Sequence, residues 1–395
     1  MPCNVSSKSP PKSKQLTQPL ELDGGHGVAV RGRQVTSGFL SSESVQRMQQ
    51  KQKRVVWSYS LTLVSLLTTL ARPKWESSRV HNVESLGHSV YRRPRMYCGR
   101  SDIRRGEWVR EDNSTKSYRW SMADDKCQYN DLFSPDAFCN VMENQVILFI
   151  GDSLTKEMWR SLVALTNGVE VLTTDAYGSG MARTCSNKTQ LPYFRSNRLH
   201  HLQNAIDDPR SVVPIELHNS SHADFPTSIV MNTGSWYQST DVYYGIMVET
   251  IEFIRAWQEL CKTDSASRCP FVWRTTPPGM PGCMEYNQPM NNITRAEELL
   301  VNGTSGARSK LHPHMDLYHW TGFREQNLIA EELFETSGLD YEIVDGYEIG
   351  ITRPDNHVNS KDCLHHPGEA LDVPDAWNTV LLHYLLDREG KKHFW

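Results

Sequence analysis

From residue 146 onward, short apolar runs alternate with longer amphipathic ones, and this alternation restricts the fold more than any other feature of the sequence. A strand that is to lie parallel to its neighbour must be reached by a crossover, and a helix is the usual one. The runs VILFIG (146–151), VEVLTT (169–174), SIVMNT (228–233), FVWRTT (271–276) and YEIVDG (341–346) are predicted strands. Helical periodicity falls on residues 154–166, 243–260, 327–337 and 376–386. Each predicted strand is short and mostly apolar, as a strand buried on both faces should be. The expected fold class is α/β, a parallel sheet flanked by helices, forming one domain with cysteine-braced elaborations.

The cysteines divide the 395 residues. Cys3 stands alone, whereas Cys98, Cys127, Cys139, Cys185, Cys261, Cys269, Cys283 and Cys363 form an even set without the short paired spacing of a zinc site. Disulfides in an oxidising compartment are expected, with the pairing open. Sequons at Asn113, Asn187, Asn219, Asn292 and Asn302 fall in the same part of the chain. Ahead of them, residues 55–71 (VVWSYSLTLVSLLTTLA) contain no charge, Pro or Gly. We read them as a membrane anchor; their short length and six Ser or Thr side chains leave a buried core helix as the alternative. The expected order is a disordered cytosolic tail (1–54), a transmembrane signal-anchor (55–71), a polar stem (72–97) and a lumenal domain (98–395). A net charge of −4 and the lack of a basic stripe exclude nucleic acid as a partner.

The run 146–151 ends in Gly151-Asp152-Ser153 and passes directly into a predicted helix, so Ser153 falls at the carboxyl edge of the sheet, where open α/β folds hold ligands. A serine hydroxyl needs a base within hydrogen-bond reach, and the base needs a partner to hold its tautomer. Asp362-Cys363-Leu364-His365 supplies a D-x-x-H pair in a loop before the last helix, with His357 and His366 as competing bases. Asn232, near the end of the run 228–233, is a candidate oxyanion donor through its side-chain amide, and Gly178 or Gly180 through a backbone N–H. Taken singly, each of these also suits an ordinary cap or turn. Trp159, Trp236 and Tyr237 are candidate sugar platforms, with core packing the stronger reading for Trp159. No metal cluster is visible in the sequence, and the chemistry requires none.

Five blocks occur in order: GEWV, YRW and Cys127; IGDSLTKEMWRSL (150–162); NTGSWY (232–237); RPDNH (353–357); and DCLHHPG followed by VPDAWN (373–378). Together they resemble the GDSL/SGNH superfamily, and within it the PC-esterase and trichome-birefringence-like proteins, over residues 98–386. The resemblance implies an SGNH-like fold, Ser153 as acyl-carrying nucleophile, His365 as general base and acid, Asp362 as its orienting partner and Asn232 in the oxyanion hole. It further implies a single-pass type II protein of the Golgi membrane that transfers an acetyl group from a donor to a polysaccharide or glycan acceptor, with no cofactor beyond that donor. The stretch after His365 lacks the cysteine expected there, and RTTPPG (274–279) departs from the plant pattern. A lumenal carbohydrate esterase using the same triad is the first alternative, and a non-catalytic glycan-binding protein the second.

Overall fold

The computed structural model describes residues 106–111, 117–122, 132–173, 178–200, 202, 226–264, 269–304, 318–368 and 371–392. All of them belong to one unit, Ser89–Trp395. The expected tail, anchor and stem, together with Cys98 and Cys127, lie outside the described residues. Among the described residues no helix is long and apolar enough to cross a membrane.

Nine strands are present among the described residues. A small hairpin, β1 (Gly106–Arg110) with β2 (Tyr118–Met122), precedes a seven-stranded sheet. That sheet contains β3 (Ile147–Gly151), β4 (Val169–Thr173), β5 (Gly180–Thr184), β6 (Thr189–Arg195), β7 (Ser228–Met231), β8 (Phe271–Arg274) and β9 (Tyr341–Val344), in the order β4-β5-β6-β3-β7-β8-β9. The five strands from β6 to β9 in that order run parallel, and β5 and β4 continue the sheet antiparallel. The helices are α1 (Pro135–Val141), α2 (Ser153–Leu165), α3 (Thr240–Asp264), α4 (Ile293–Thr304), α5 (Phe323–Ser337), α6 (Gly346–Ile351) and α7 (Val373–Lys392).

Strand alternation builds two cores. Ile147, Phe149, Val230, Val272 and Val344 face one side with α2 and α7; Leu148, Ile150, Met231, Trp273 and Ile343 face the other with α3 and α5. The four apolar runs that become β3, β7, β8 and β9 are therefore covered on both faces, as their composition predicts. The run 169–174 is different. It forms the antiparallel edge strand β4, with Val169 and Val171 exposed, because it ends the sheet and pairs with β5 alone.

Disulfides join Cys139 to Cys185, Cys261 to Cys269 and Cys283 to Cys363. The first ties α1 to the turn after β5, and the last ties the segment after β8 to the loop before α7. Asn187, Asn292 and Asn302 are all exposed, at a turn and on the start and end of α4.

Candidate active site

β3 is the central strand of the seven-stranded sheet, between the parallel β6 and β7, so its carboxyl end opens into the crevice between their loops. Gly151 ends the strand because nothing larger fits: a Cβ there would lie 2.6 Å from the backbone oxygen of Asn232. Asp152 caps α2, accepting from the Leu154 N–H at 3.0 Å, and is fully buried. Burial raises its pKa, partly offset by the Arg274 guanidinium. Ser153 is then the first residue of α2, partly exposed, with its N–H among those a helix leaves without an internal partner.

The base comes from the far end of the chain. His365 Nε2 lies 2.7 Å from Ser153 Oγ, and His365 Nδ1 lies 2.9 Å from each oxygen of Asp362. In the neutral imidazole, Nδ1–H donates to the carboxylate and Nε2 accepts from the serine hydroxyl. Asp362 also accepts from the His365 backbone N–H at 3.1 Å, a turn geometry that the three-residue spacing makes natural. Cys363, between acid and base, is tied to Cys283, and its carbonyl accepts from Met280 N–H at 2.9 Å.

Burial alone would lower the pKa of His365, but Asp362, followed by Glu157, outweighs it and raises the value to about 9. Asp362 is correspondingly held down to about 2: burial opposes this, and the His365 hydrogen bond prevails. Glu157, one turn beyond Ser153, accepts from His366 N–H at 3.3 Å and is pushed up to about 8, chiefly by burial.

Residues 131–261 match the PC-Esterase model, described as the GDSL/SGNH-like acyl-esterase family found in Pmr5 and Cas1p. The segment is PC-esterase-like. It includes Ser153 and Asn232, and ends before Asp362 and His365. Among solved structures, the chain is similar to a GDSL-like lipase from Parabacteroides merdae, at 13% identity and a TM-score of 0.31, over 62% of this chain and 97% of the lipase. No curated protein matches the sequence.

Within the PC-esterase-like segment, the other predicted residues fall in two groups. Asn232 is buried and committed: its amide donates to the Arg274 carbonyl at 2.7 Å and to Thr276 Oγ1 at 2.8 Å, while its oxygen accepts from Arg274 at 2.7 Å. The guanidinium can only donate, so the orientation of the amide is determined, and neither of its hydrogens is left for an oxyanion. Gly180 is paired with Thr173 on one side and Tyr193 on the other. Gly178 precedes the strand, its carbonyl held by Lys156 from the first turn of α2 at 3.3 Å. Trp159 is core, stacked on Tyr193, and Tyr237 is core with its hydroxyl on the Arg198 carbonyl; Trp236 is partly exposed.

His366 and His357 do not face Ser153. His366 donates its Nδ1–H to the Asn356 carbonyl, 2.8 Å away, and packs on His357 and edge-on to Trp377. Burial lowers both pKa values, that of His357 to about 4.

Arg274 had no role in the sequence reading. It is fully buried, lies 4.4 Å over Trp377, locks Asn232, and is brought down to about 10 by burial against the attraction of Asp152. An Arg at the end of an otherwise apolar run was the available signal. The RPDNH and VPDAWN blocks also find roles. Arg353 pairs bidentately with Asp355, Asn356 holds Val373 N–H and His366, and Asn378 binds the Met158 carbonyl and Ser161. These contacts clamp the base loop and α7 to the nucleophile helix. Among the described residues no group of His, Cys, Asp or Glu side chains is arranged to hold a metal ion.

Proposed function

We propose that this chain is a serine-dependent O-acetyltransferase that moves an acetyl group through an acyl-Ser153 intermediate onto a hydroxyl of a polysaccharide or glycan. The observation that carries the reading is the continuous array of Ser153, His365 and Asp362, with contacts of 2.7 and 2.9 Å. His365 Nε2 takes the hydroxyl proton as Ser153 Oγ attacks the acetyl carbonyl, and passes it to the departing donor group. A sugar hydroxyl then gives its proton to the same nitrogen and attacks the acyl carbon, and the proton returns to Ser153 Oγ. Asp362 keeps the imidazole in register and balances its transient charge.

The oxyanion falls on the Ser153 N–H and, in our reading, on the Gly178 N–H, since the carbonyl of Gly178 is anchored to α2 and Gly180 is engaged in the sheet. Asn232 acts here as scaffold. The acetyl donor is the only co-reactant required. The three disulfides and three exposed sequons among the described residues support a lumenal domain, and the family resemblance supports the Golgi, with residues 55–71 as anchor.

The acyl-esterase description of the matching family favours one alternative, water as final acceptor. Both reactions share the acyl-enzyme, so the test must follow the second half-reaction. The full chain is given a labelled acetyl donor and a panel of oligosaccharides, and acetyl on sugar is measured against free acetate. Label on sugar supports transfer, acetate alone supports hydrolysis, and turnover that survives Ser153→Ala eliminates both.

A further inference from the structure

Ser153, Glu157 and Ser161 follow one another along α2 at intervals of four residues, and all three are partly exposed. Neighbours at that spacing share a face of the helix, with Cβ atoms about 5–6 Å apart. Ser161 is committed, donating to Asp375 at 2.6 Å and accepting from Asn378 at 2.8 Å. Glu157 lies between it and the nucleophile. After Asp362 it is the strongest influence raising the pKa of His365, which places its carboxyl group close to the base.

The carboxyl groups around the base differ in what they have left to offer. Asp362 is filled by the His365 ring and by the N–H groups of Leu364 and His365. Asp372 is buried and accepts from the Gly368 N–H at 2.9 Å. Among the described residues Glu157 has a single donor, the His366 N–H, shared between its two oxygens at 3.3 and 3.4 Å. A carboxylate has about four acceptor positions, so most of those on Glu157 are open, and the protonated form keeps some of them. The His366 contact also fixes where the group lies. It is held against the loop from which His365 reaches Ser153.

Deacylation requires the reacting hydroxyl of the acceptor to lie between His365 Nε2 and the acyl carbon on Ser153 Oγ. On a sugar ring the adjacent hydroxyl is no farther from the first than the two ends of a hydrogen bond. We propose that Glu157 binds the acceptor by this adjacent hydroxyl, so that the site selects sugars with two free neighbouring hydroxyls and acetylates one of them. The proposal rests on the glycan-acceptor reading above and names the feature the acceptor must carry. The reacting hydroxyl gives its proton to His365 Nε2 as its oxygen bonds to the acyl carbon, and Ser153 Oγ departs and takes that proton. The adjacent hydroxyl donates to Glu157 throughout and is not consumed. A sugar without that hydroxyl leaves the carboxyl group unmatched, which is the kind of loss a polar site discriminates against most strongly. A sugar already acetylated there lacks the same donor, so each pair of hydroxyls receives one acetyl group.

The test follows how the acyl-enzyme partitions. The full chain is acylated with a labelled aryl acetate in the presence of tetrasaccharides of xylose, glucose or mannose, and the ratio of acetyl on sugar to free acetate is read. Water and sugar draw on the same acyl-Ser153 and the same base, so a change in His365 basicity acts on both routes and leaves the ratio. Mapping the transferred acetyl identifies the reacting hydroxyl, and the parent sugar is then compared with its counterpart lacking the neighbouring one. Expected in the wild type is a ratio at least tenfold lower for the deoxy sugar. In Glu157→Ala the parent should fall to the level of the deoxy sugar, and Glu157→Gln, which keeps one acceptor oxygen, should fall between. A wild type that treats the two sugars alike, or discrimination undiminished in either variant, overturns the role of Glu157 and leaves the glycan reading standing. An equal loss for both sugars in Glu157→Ala gives Glu157 a structural role only and also overturns it. Acetate as the sole product with every tetrasaccharide overturns both readings.

Discussion

Ser153 reacts only while His365 Nε2 is free to take its proton, so the two carboxylates near the imidazole set the working pH. With the folded pKa raised to about 9, the base form accumulates as pH rises toward that value, and acylation should climb with it. Glu157 contributes to the rise without touching Ser153. Glu157→Gln should therefore move the acid limb of the kcat/KM profile on an aryl acetate to lower pH; an unmoved limb would remove Glu157 from this role. His365→Ala should cut kcat by about three orders of magnitude or more. His366→Ala should instead show mainly as lost stability, read as a lower Tm, since that ring packs on Trp377. His357 provides a second pH test. Its folded pKa is depressed to about 4, so between that value and 6.5 the unfolded chain binds a proton that the folded chain refuses, and stability falls as pH falls. The stability advantage of the wild type over His357→Gln should shrink by about 2 kcal/mol between pH 7 and pH 5, measured by denaturant titration at each pH. The local D-x-x-H pair was legible because turn chemistry links acid and base over three residues. The commitment of Asn232 was not, because it depends on Arg274 and Thr276 arriving from the neighbouring strand.

Among the elements, the disulfides separate stability from chemistry. Cys139–Cys185 braces α1 against the β5 turn, away from the base loop, so replacing both cysteines with Ala should cost stability, about 2–4 kcal/mol, with kcat on a small ester within about threefold of wild type. Cys283–Cys363 grips the loop between Asp362 and His365, and its double Ala variant should lose far more kcat than its Tm shift accounts for. Comparable kinetic losses in the two variants would deny the loop disulfide any positioning role. The buried strands β3, β7, β8 and β9 were readable because covering on both faces demands continuous apolar runs. The β5–β6 hairpin escaped notice because GMART and TQLPYFR mix polar and apolar residues and include Pro192. Its turn also uses Cys185, Ser186 and Asn187 at positive φ, without the glycine that usually marks such a turn.

Across the whole molecule, the β1–β2 hairpin forms a third layer of support that composition alone did not place. Trp108 donates its indole N–H to the Ile349 carbonyl at 3.2 Å, exchanges backbone and side-chain hydrogen bonds with Asn291, and lies 4.5 Å beneath the Arg353 guanidinium. Trp108→Ala should destabilise the fold by about 3–5 kcal/mol, read by denaturant unfolding, because it removes a buried indole and exposes the Arg353 and Asp355 pair that begins the base loop. The order of the parts along the chain has one further effect. Nucleophile and base are 212 residues apart, and the base leaves the ribosome after every strand of the seven-stranded sheet. A nascent chain that stops short of residue 362 holds a serine with no means of activation, and one that is complete but not yet oxidised lacks the Cys283–Cys363 bond that holds its base loop. Reactivity is thus acquired only after the strands of the sheet have been made.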